Sequence, residues 1–306
     1  TRLFRLVKFP SLTTMQPEYK SCMTTLSDPT DENPLTDHLS RGSTQLYLDA
    51  ALYDHDYRRR RHDIAWYRRL AKDMLPERNQ SILELACGTG RLLFPLARDG
   101  HHVIGIDRSA HMLARCRERM AHYGSRLSSR ISLVQADFRV LPIAPPEPFF
   151  LIVCPFNGLL HLYDREDFTR FFDGIRNILH PDGLFAFDVS NPDLEWLTKD
   201  PRKRWSRTRF RHPITREPLV YSTNHLYDPA HQIMVIRIYY DPDFSVEWAH
   251  RSEPRTVVLT QRLYFPAELE ALLHFCGFSM WYRAGGFDGQ TLSHASAEQV
   301  ICVRMR

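Results

Sequence analysis

Short apolar runs separated by helical stripes recur through the middle of this chain, and that rhythm predicts its architecture. Ile82 to Ala86 is an apolar run broken only by Glu84, and Cys87-Gly88-Thr89-Gly90 turns the chain after it. Leu92, Leu93, Leu96 and Ala97 then fall at helical spacing. A second run, His102 to Ile106, ends in Asp107, and a third, Ile131 to Ala136, ends in Asp137-Phe138. Phe149 to Pro155 reads as a fourth strand. Asp164 is placed to cap a helix with Phe168, Phe171, Phe172, Ile175, Ile178 and Leu179 inward, and Pro181-Asp182-Gly183 is its stop signal. Leu184 to Val189 is a fifth strand ending in Ser190-Asn191. Short apolar runs bounded by turns are buried strands, and spacings of three and four mark one face of a helix. Their alternation predicts a parallel sheet with helices on both faces.

The flanks follow other rules. From Gln45 to Leu75 the pattern is helical, with Ile64, Tyr67, Leu70, Ala71 and Met74 on one face. Residues 1–45 show no periodicity and are punctuated by prolines, which predicts a mobile leader without chemistry of its own. Leu219 to Tyr227 and Ile233 to Tyr240 are β-branched and aromatic, joined by Asp228-Pro229-Ala230-His231, and read as a hairpin; Arg255 to Tyr264 can add a third strand. Pro266 opens a helix that Gly277 closes, and Phe278 to Arg283 and Glu298 to Arg304 are the last two strands.

A strand, a glycine turn and a helix bring backbone N–H groups and a helix N-terminus close to a nucleotide-like ligand. Seventeen residues beyond Gly90, Asp107 stands at a strand tip, placed to accept both hydroxyls of a ribose. A dinucleotide fingerprint needs a small residue where this chain has Leu93, which crowds the pyrophosphate side of the turn.

The motifs Glu84-Leu-Ala-Cys-Gly-Thr-Gly90, Gly105-Ile-Asp107 with Ser109 and Met112 behind it, Ala136-Asp137-Phe138, Pro155-Phe-Asn-Gly-Leu-Leu-His161 and Leu179-His-Pro-Asp-Gly183 stand in order along the chain. Together they resemble the class I S-adenosylmethionine-dependent methyltransferases, over roughly Tyr53 to Arg306. The resemblance implies an α/β, Rossmann-like, seven-stranded and mostly parallel sheet in the order 3-2-1-4-5-7-6, with helices on both faces. It also implies that 46–191 and 263–306 form the methyltransferase domain. Residues 192–262 would then be an inserted antiparallel β-sheet over the substrate. S-adenosylmethionine is the cofactor it implies. Tyr57, Glu84, Ala86, Gly88, Gly90, Asp107, Arg108, Met112, Asp137, Phe138, Phe156 and Asn157 are the cofactor-binding residues it implies, with Tyr53 and Arg61 as further candidates near Tyr57.

Asn157 and His161, four apart after the fourth strand, share a face if that segment is helical. His161 can take a proton near neutral pH, and by resemblance to sugar-amine N-methyltransferases it is the candidate catalytic residue, beside chemistry by proximity alone. The expected partner is a small-molecule methyl acceptor at an N or O centre. A cofactor-binding protein without turnover, or an RNA or protein methyltransferase, are the competing readings.

Composition narrows the rest. A hydrophobic content of 43% with 18 Phe and 13 Tyr supports a substantial core. No apolar run is long enough to span a membrane. Six dispersed cysteines without a Cys-x-x-Cys pair predict reduced thiols and a cytoplasmic setting. A net charge of +4 is too mild for a nucleic-acid footprint, although Arg58 to Arg61 and the arginines between 202 and 211 form two basic clusters. No spacing suggests a metal site. Asp107→Ala is expected to cost cofactor affinity and to leave stability almost unchanged.

Overall fold

A computed structural model describes residues 39, 41–76, 80–141, 143, 145, 147–246 and 253–306. Strands β1 (Ser81–Leu85), β2 (His102–Asp107), β3 (Ile131–Gln135), β4 (Phe149–Cys154), β5 (Leu179–Ser190), β10 (Phe278–Ala284) and β11 (Glu298–Met305) form one sheet in the order β3-β2-β1-β4-β5-β11-β10. With the insert left out this is the order 3-2-1-4-5-7-6. The five strands β1 to β5 pair in parallel, and β11 runs antiparallel to both β5 and β10. The parallel strands need long crossovers, which the helices supply.

Helices α1 (Ala50–Tyr57), α2 (His62–Met74), α3 (Leu93–Arg98), α4 (Ala110–Ala121), α5 (Arg165–Ile178) and α6 (Pro266–Phe275) cover this sheet. One apolar layer joins Phe168, Phe171, Phe172 and Ile175 of α5 to Phe185 and Phe187 of β5. The other joins Tyr67, Leu70 and Ala71 of α2 to Leu93 and Leu96 of α3, over Ile82 and Leu151. The caps follow from sequence: Ser109 accepts the Met112 amide at 3.3 Å, and Asp164 accepts the Asp167 amide at 2.7 Å.

Four boundaries differ from the sequence reading. The helical stretch before β1 is two helices, because the chain turns over Arg58 to Arg61 between α1 and α2. Pro181-Asp182-Gly183 does not separate α5 from its strand; β5 begins at Leu179 and carries a register irregularity against β4. The insert has four strands, β6 (Trp205–Arg211), β7 (Pro218–Asp228), β8 (Ile233–Pro242) and β9 (Arg255–Arg262), in that order. Strand β6 was hidden by its arginines, which make an exposed edge look like a loop.

The fourth difference concerns the leader. Residues 1–38 and 40 lie outside the described residues, but 41–45 are packed. A Cβ at Gly42 would collide with Thr260 of β9, Ser43 is buried, and the Gln45 side chain accepts the Val258 amide at 3.0 Å. The turn Gln45–Tyr47 leads from there into α1. Among the described residues no helix is long and apolar enough to cross a membrane.

Candidate active site

Ligands of an open α/β sheet bind beyond the carboxyl ends of its strands, and here the neighbouring tips of β1 and β4 are strained. Ala86 (φ 53°) follows β1, while Phe156 (φ 58°) and Asn157 (φ 64°) follow β4, all non-glycine residues in the left-handed region. Side chains from β5 hold the second tip. Asp188 accepts the Phe156 amide at 2.9 and 3.0 Å and the Tyr67 hydroxyl at 2.7 Å, and burial pushes its carboxyl up to about 6. The Asn157 Oδ1 atom accepts the Ser190 amide at 2.6 Å.

At the tip of β2, Asp107 accepts the Gly88 amide with Oδ2 and the Ser109 amide with Oδ1, each at 2.8 Å. Burial raises its pKa, and the two amides oppose that shift. Both oxygens keep a lone pair for a further donor. Gly88 has φ 55°, and a Cβ there would stand 3.2 Å from the Met112 methyl carbon. Asp137 at the tip of β3 is engaged by Arg139, with Nε 3.0 Å from Oδ1 and Nη2 2.6 Å from Oδ2. Burial works to raise its pKa, but that guanidinium holds the carboxyl below its ordinary value.

Helix α1 closes the site from above. Its ring-bearing face continues into the site as Tyr47–Tyr53 (5.9 Å between centroids), Tyr53–Tyr57 (4.7 Å) and Tyr57–Phe156 (5.1 Å). Asp54 ties the helix to the glycine turn through the Thr89 hydroxyl (2.5 Å) and to α4 through Arg115 (3.1 Å). On its far side Asp49 meets His212 at 3.0 Å and Asp56 accepts the Tyr240 hydroxyl at 2.8 Å, so the insert sheet holds α1 in place.

These elements enclose a cavity of about 1070 Å³. It exceeds the ~300–1,000 Å³ usual for one small ligand, so two ligands can lie end to end. Tyr57, Ala86, Gly88, Asp107, Arg108 and Met112 line it, as do Asp137, Phe138, Phe156, Asn157 and His161. Tyr53 lines it too, with Arg60; Arg61 does not and instead donates to the Arg58 carbonyl. Glu84 and Gly90 are also absent from the wall. Gly90 (φ 83°) serves packing, since a Cβ there would stand 2.7 Å from Phe94 and 2.9 Å from the Cys116 sulfur. Glu84 is buried behind the turn with Oε2 unpaired, and burial pushes its carboxyl up to about 8 against the pull of Arg91.

His161 closes a turn at Gly158–His161 that is 3₁₀ rather than α-helical. Its Nε2 lies 2.7 Å from the Tyr47 hydroxyl and its Nδ1 3.0 Å from the Tyr163 hydroxyl. Tyr163 donates to the Thr260 carbonyl at 3.1 Å. Assigning the Tyr163 proton to Thr260 leaves its oxygen to accept from His161 Nδ1–H and leaves Nε2 to accept from Tyr47. Burial, with Arg108 and Arg139 nearby, lowers the His161 pKa to about 4, so the ring is neutral at pH 7. Tyr47, Tyr163 and Thr260 were missed in the sequence; a tyrosine beside the leader and a threonine in the insert carry no local signal.

The residues present fit a nucleoside bearing a cationic sulfonium. Asp107 offers acceptors, Gly88 gives close backbone approach, and Met112 and Phe138 form apolar flanks. The tyrosine rings of α1 offer π-faces to a cation. Among the described residues no group of three or more His, Cys, Asp or Glu could hold a metal ion.

Residues 82–183 match the family described as a methyltransferase domain. An uncharacterized methyltransferase of Geobacillus kaustophilus is 32% identical over 145 residues, which cover 47% of this chain and 61% of that protein. The match therefore spans less than two thirds of that relative. Among solved structures, the CcbJ methyltransferase from Streptomyces caelestis superposes with a TM-score of 0.64 at 22% identity, covering 80% of this chain and 89% of that one. CalS10, an amino pentose methyltransferase from Micromonospora echinaspora, gives 0.58 at 16%, covering 83% and 96%. At these identities the structures testify to the fold. Residues 82–183 thus carry a methyltransferase domain, and the sheet built around them has the fold of S-adenosylmethionine-dependent methyltransferases.

Proposed function

We propose that this chain binds S-adenosylmethionine over the tips of β1, β2 and β4 and methylates a small molecule held under the insert sheet. The carrying observation is one cavity lined both by Asp107 and Gly88 of the strand tips and by Met234, Ile236, Leu259 and Gln261 of the insert strands β8 and β9. When bound, the cofactor supplies a methyl group already activated on sulfur. Asp107 accepts from its ribose hydroxyls, and Met112 and Phe138 sandwich its base. Tyr53 and Tyr57 face its cationic centre. The chain's task is then to hold an acceptor nitrogen or oxygen on the axis opposite sulfur and to exclude water, which α1 and the insert do.

His161 is assigned to positioning. Both its ring nitrogens are engaged and its pKa is near 4, so it is a weak base that orients the Tyr47 hydroxyl. Tyr47 lines the cavity and is the group assigned to hydrogen-bond the acceptor. The free, buried cysteines 87, 116, 154, 276 and 302 fit a reducing, cytoplasmic setting; Cys22 lies outside the described residues.

The basic cluster between 202 and 211 favours a small acceptor over RNA. Arg202 pairs with Asp200, Arg204 with Asp241 and Arg209 with Asp243, and the Arg204 guanidinium stacks 3.6 Å from the Tyr239 ring centroid. Cations already partnered release few counterions on binding phosphate. The test is production of S-adenosylhomocysteine with a panel of amines and alcohols, beside RNA retention at ~50 mM salt, where backbone-driven binding is strong. Turnover with a panel member and negligible RNA retention is the expected result. Cofactor binding without turnover across the panel favours the non-catalytic reading, and salt-sensitive RNA retention favours the RNA one.

A further inference from the structure

The roof of the cavity carries a carboxamide that faces the open space and has no hydrogen-bond partner among the described residues. Strands β8 and β9 pair Met234 with Gln261 and Ile236 with Leu259. Directly opposed residues share one face of a sheet, and all four line the cavity. Leu263 extends the same wall. Within this apolar surface Gln261 is only 8% exposed. Its carboxamide makes no hydrogen bond to any described residue.

Two other buried amides have their N–H groups held by the protein, although the Gln299 Oε1 atom is left unpaired. Asn224 donates to the Pro201 carbonyl at 2.6 Å, and Gln299 donates to the Tyr264 carbonyl at 2.8 Å. Buried polar groups in folded proteins are nearly always paired, and one left without a partner is costly. An amide facing a ligand cavity is satisfied by what enters the cavity. A carboxamide offers one acceptor and two donors side by side. Its best complement both donates and accepts without charge, because Met234, Ile236, Leu259 and Leu263 would leave an ion desolvated.

We infer that Gln261 is the specificity-determining residue for the methyl acceptor, and that it selects an apolar-bodied molecule carrying a neutral hydroxyl or amide. This rests on the methyl-transfer reading above for the word acceptor, but not for the existence of the subsite. Gln261 acts by pairing with the neutral group while the nucleophile reaches toward the cofactor end. A site built around such a pairing rejects the analogue that lacks the partner, since that analogue covers the amide and leaves it unpaired. The preference is on the order of tenfold to a hundredfold for one neutral hydrogen-bonding group.

Two probes test it, trans-2-aminocyclohexanol and cyclohexylamine, which differ by one hydroxyl. Each is titrated calorimetrically into the full chain saturated with S-adenosylhomocysteine, using wild type, Gln261→Met and Gln261→Leu. The wild type should bind the hydroxylated probe roughly ten- to a hundredfold more tightly. Both variants should bring that ratio to about one while binding S-adenosylhomocysteine as the wild type does, which also reports that they fold. Should only one variant fold, its ratio decides. A ratio that survives the substitution overturns the inference, and so does a wild-type complex that binds neither probe. Probes bound with the expected ratio but never methylated would count against the methyl-transfer reading and leave the role of Gln261 standing.

Discussion

The Asp107 carboxylate accepts the Gly88 amide at 2.8 Å, so the acid at the tip of β2 holds the glycine turn that follows β1. Its other oxygen holds Ser109, the N-cap of α4. One side chain thus sets the shape of the turn and the start of the next helix, and lines the cavity beside them.

Asp107→Ala is expected to act twice. Losing charge-assisted bonds to two ribose hydroxyls, worth roughly 1.5–3 kcal/mol each, should weaken S-adenosylmethionine binding on the order of ten- to several-hundred-fold. Thermal stability without ligand should also fall, because Gly88 and Ser109 lose their acceptor. That corrects the sequence-based expectation of almost unchanged stability. Calorimetric titration and ligand-free thermal unfolding check the two halves separately.

Gly90→Ala should destabilise the fold more than Gly88→Ala. At φ 83° an added Cβ would be strained and would meet Phe94 and Cys116 inside the core. At Gly88 the Cβ meets one flexible methionine end, so the main loss should be ligand affinity. Unfolding midpoints and S-adenosylhomocysteine titrations of the pair check this.

Glu84 gives a pH signature. Burial raises its folded pKa to about 8 from 4.5, so the folded state retains a proton that the unfolded state releases. Its contribution is full below about 4.5 and declines as pH rises toward 8. Glu84→Gln should therefore gain stability relative to the wild type between pH 5 and pH 8. Paired denaturant curves at the two pH values measure the difference.

The Tyr163 hydroxyl fixes the His161 tautomer, so Tyr163→Phe should lower kcat about tenfold, the value of one buried hydrogen bond. Affinity for S-adenosylhomocysteine should be unchanged. Because His161 has its pKa lowered to about 4, wild-type kcat should show no limb near 6.5. A pH–rate profile from 5.5 to 8 reads both enzymes. A histidine limb in that window would mean that His161 titrates as a free base.

Much of the parallel sheet was legible because each strand is a self-contained apolar run, and the acids at their tips stand where the chain must turn. Leu93 was legible as an exclusion. The structure adds its compensation, since a Cβ at Gly105 would stand 2.5 Å from the Leu93 side chain. What stayed hidden depends on contacts between distant segments. Tyr47 reaches His161 across 114 positions, and Tyr163 reaches Thr260 across 97. Glu84 sits in the expected motif yet points behind the turn, a direction that strand alternation alone did not reveal. Strand β6 was concealed by its arginines, of which Arg209 finds its carboxylate partner, Asp243, on another segment.

The most direct test of the account is calorimetric titration of the folded chain with S-adenosylhomocysteine, beside Asp107→Ala. The wild type should bind saturably at one site, and the variant should lose ten- to several-hundred-fold in affinity, every ~1.4 kcal/mol being tenfold. No binding to the folded wild type at millimolar ligand, or equal affinity in the two proteins, would contradict it.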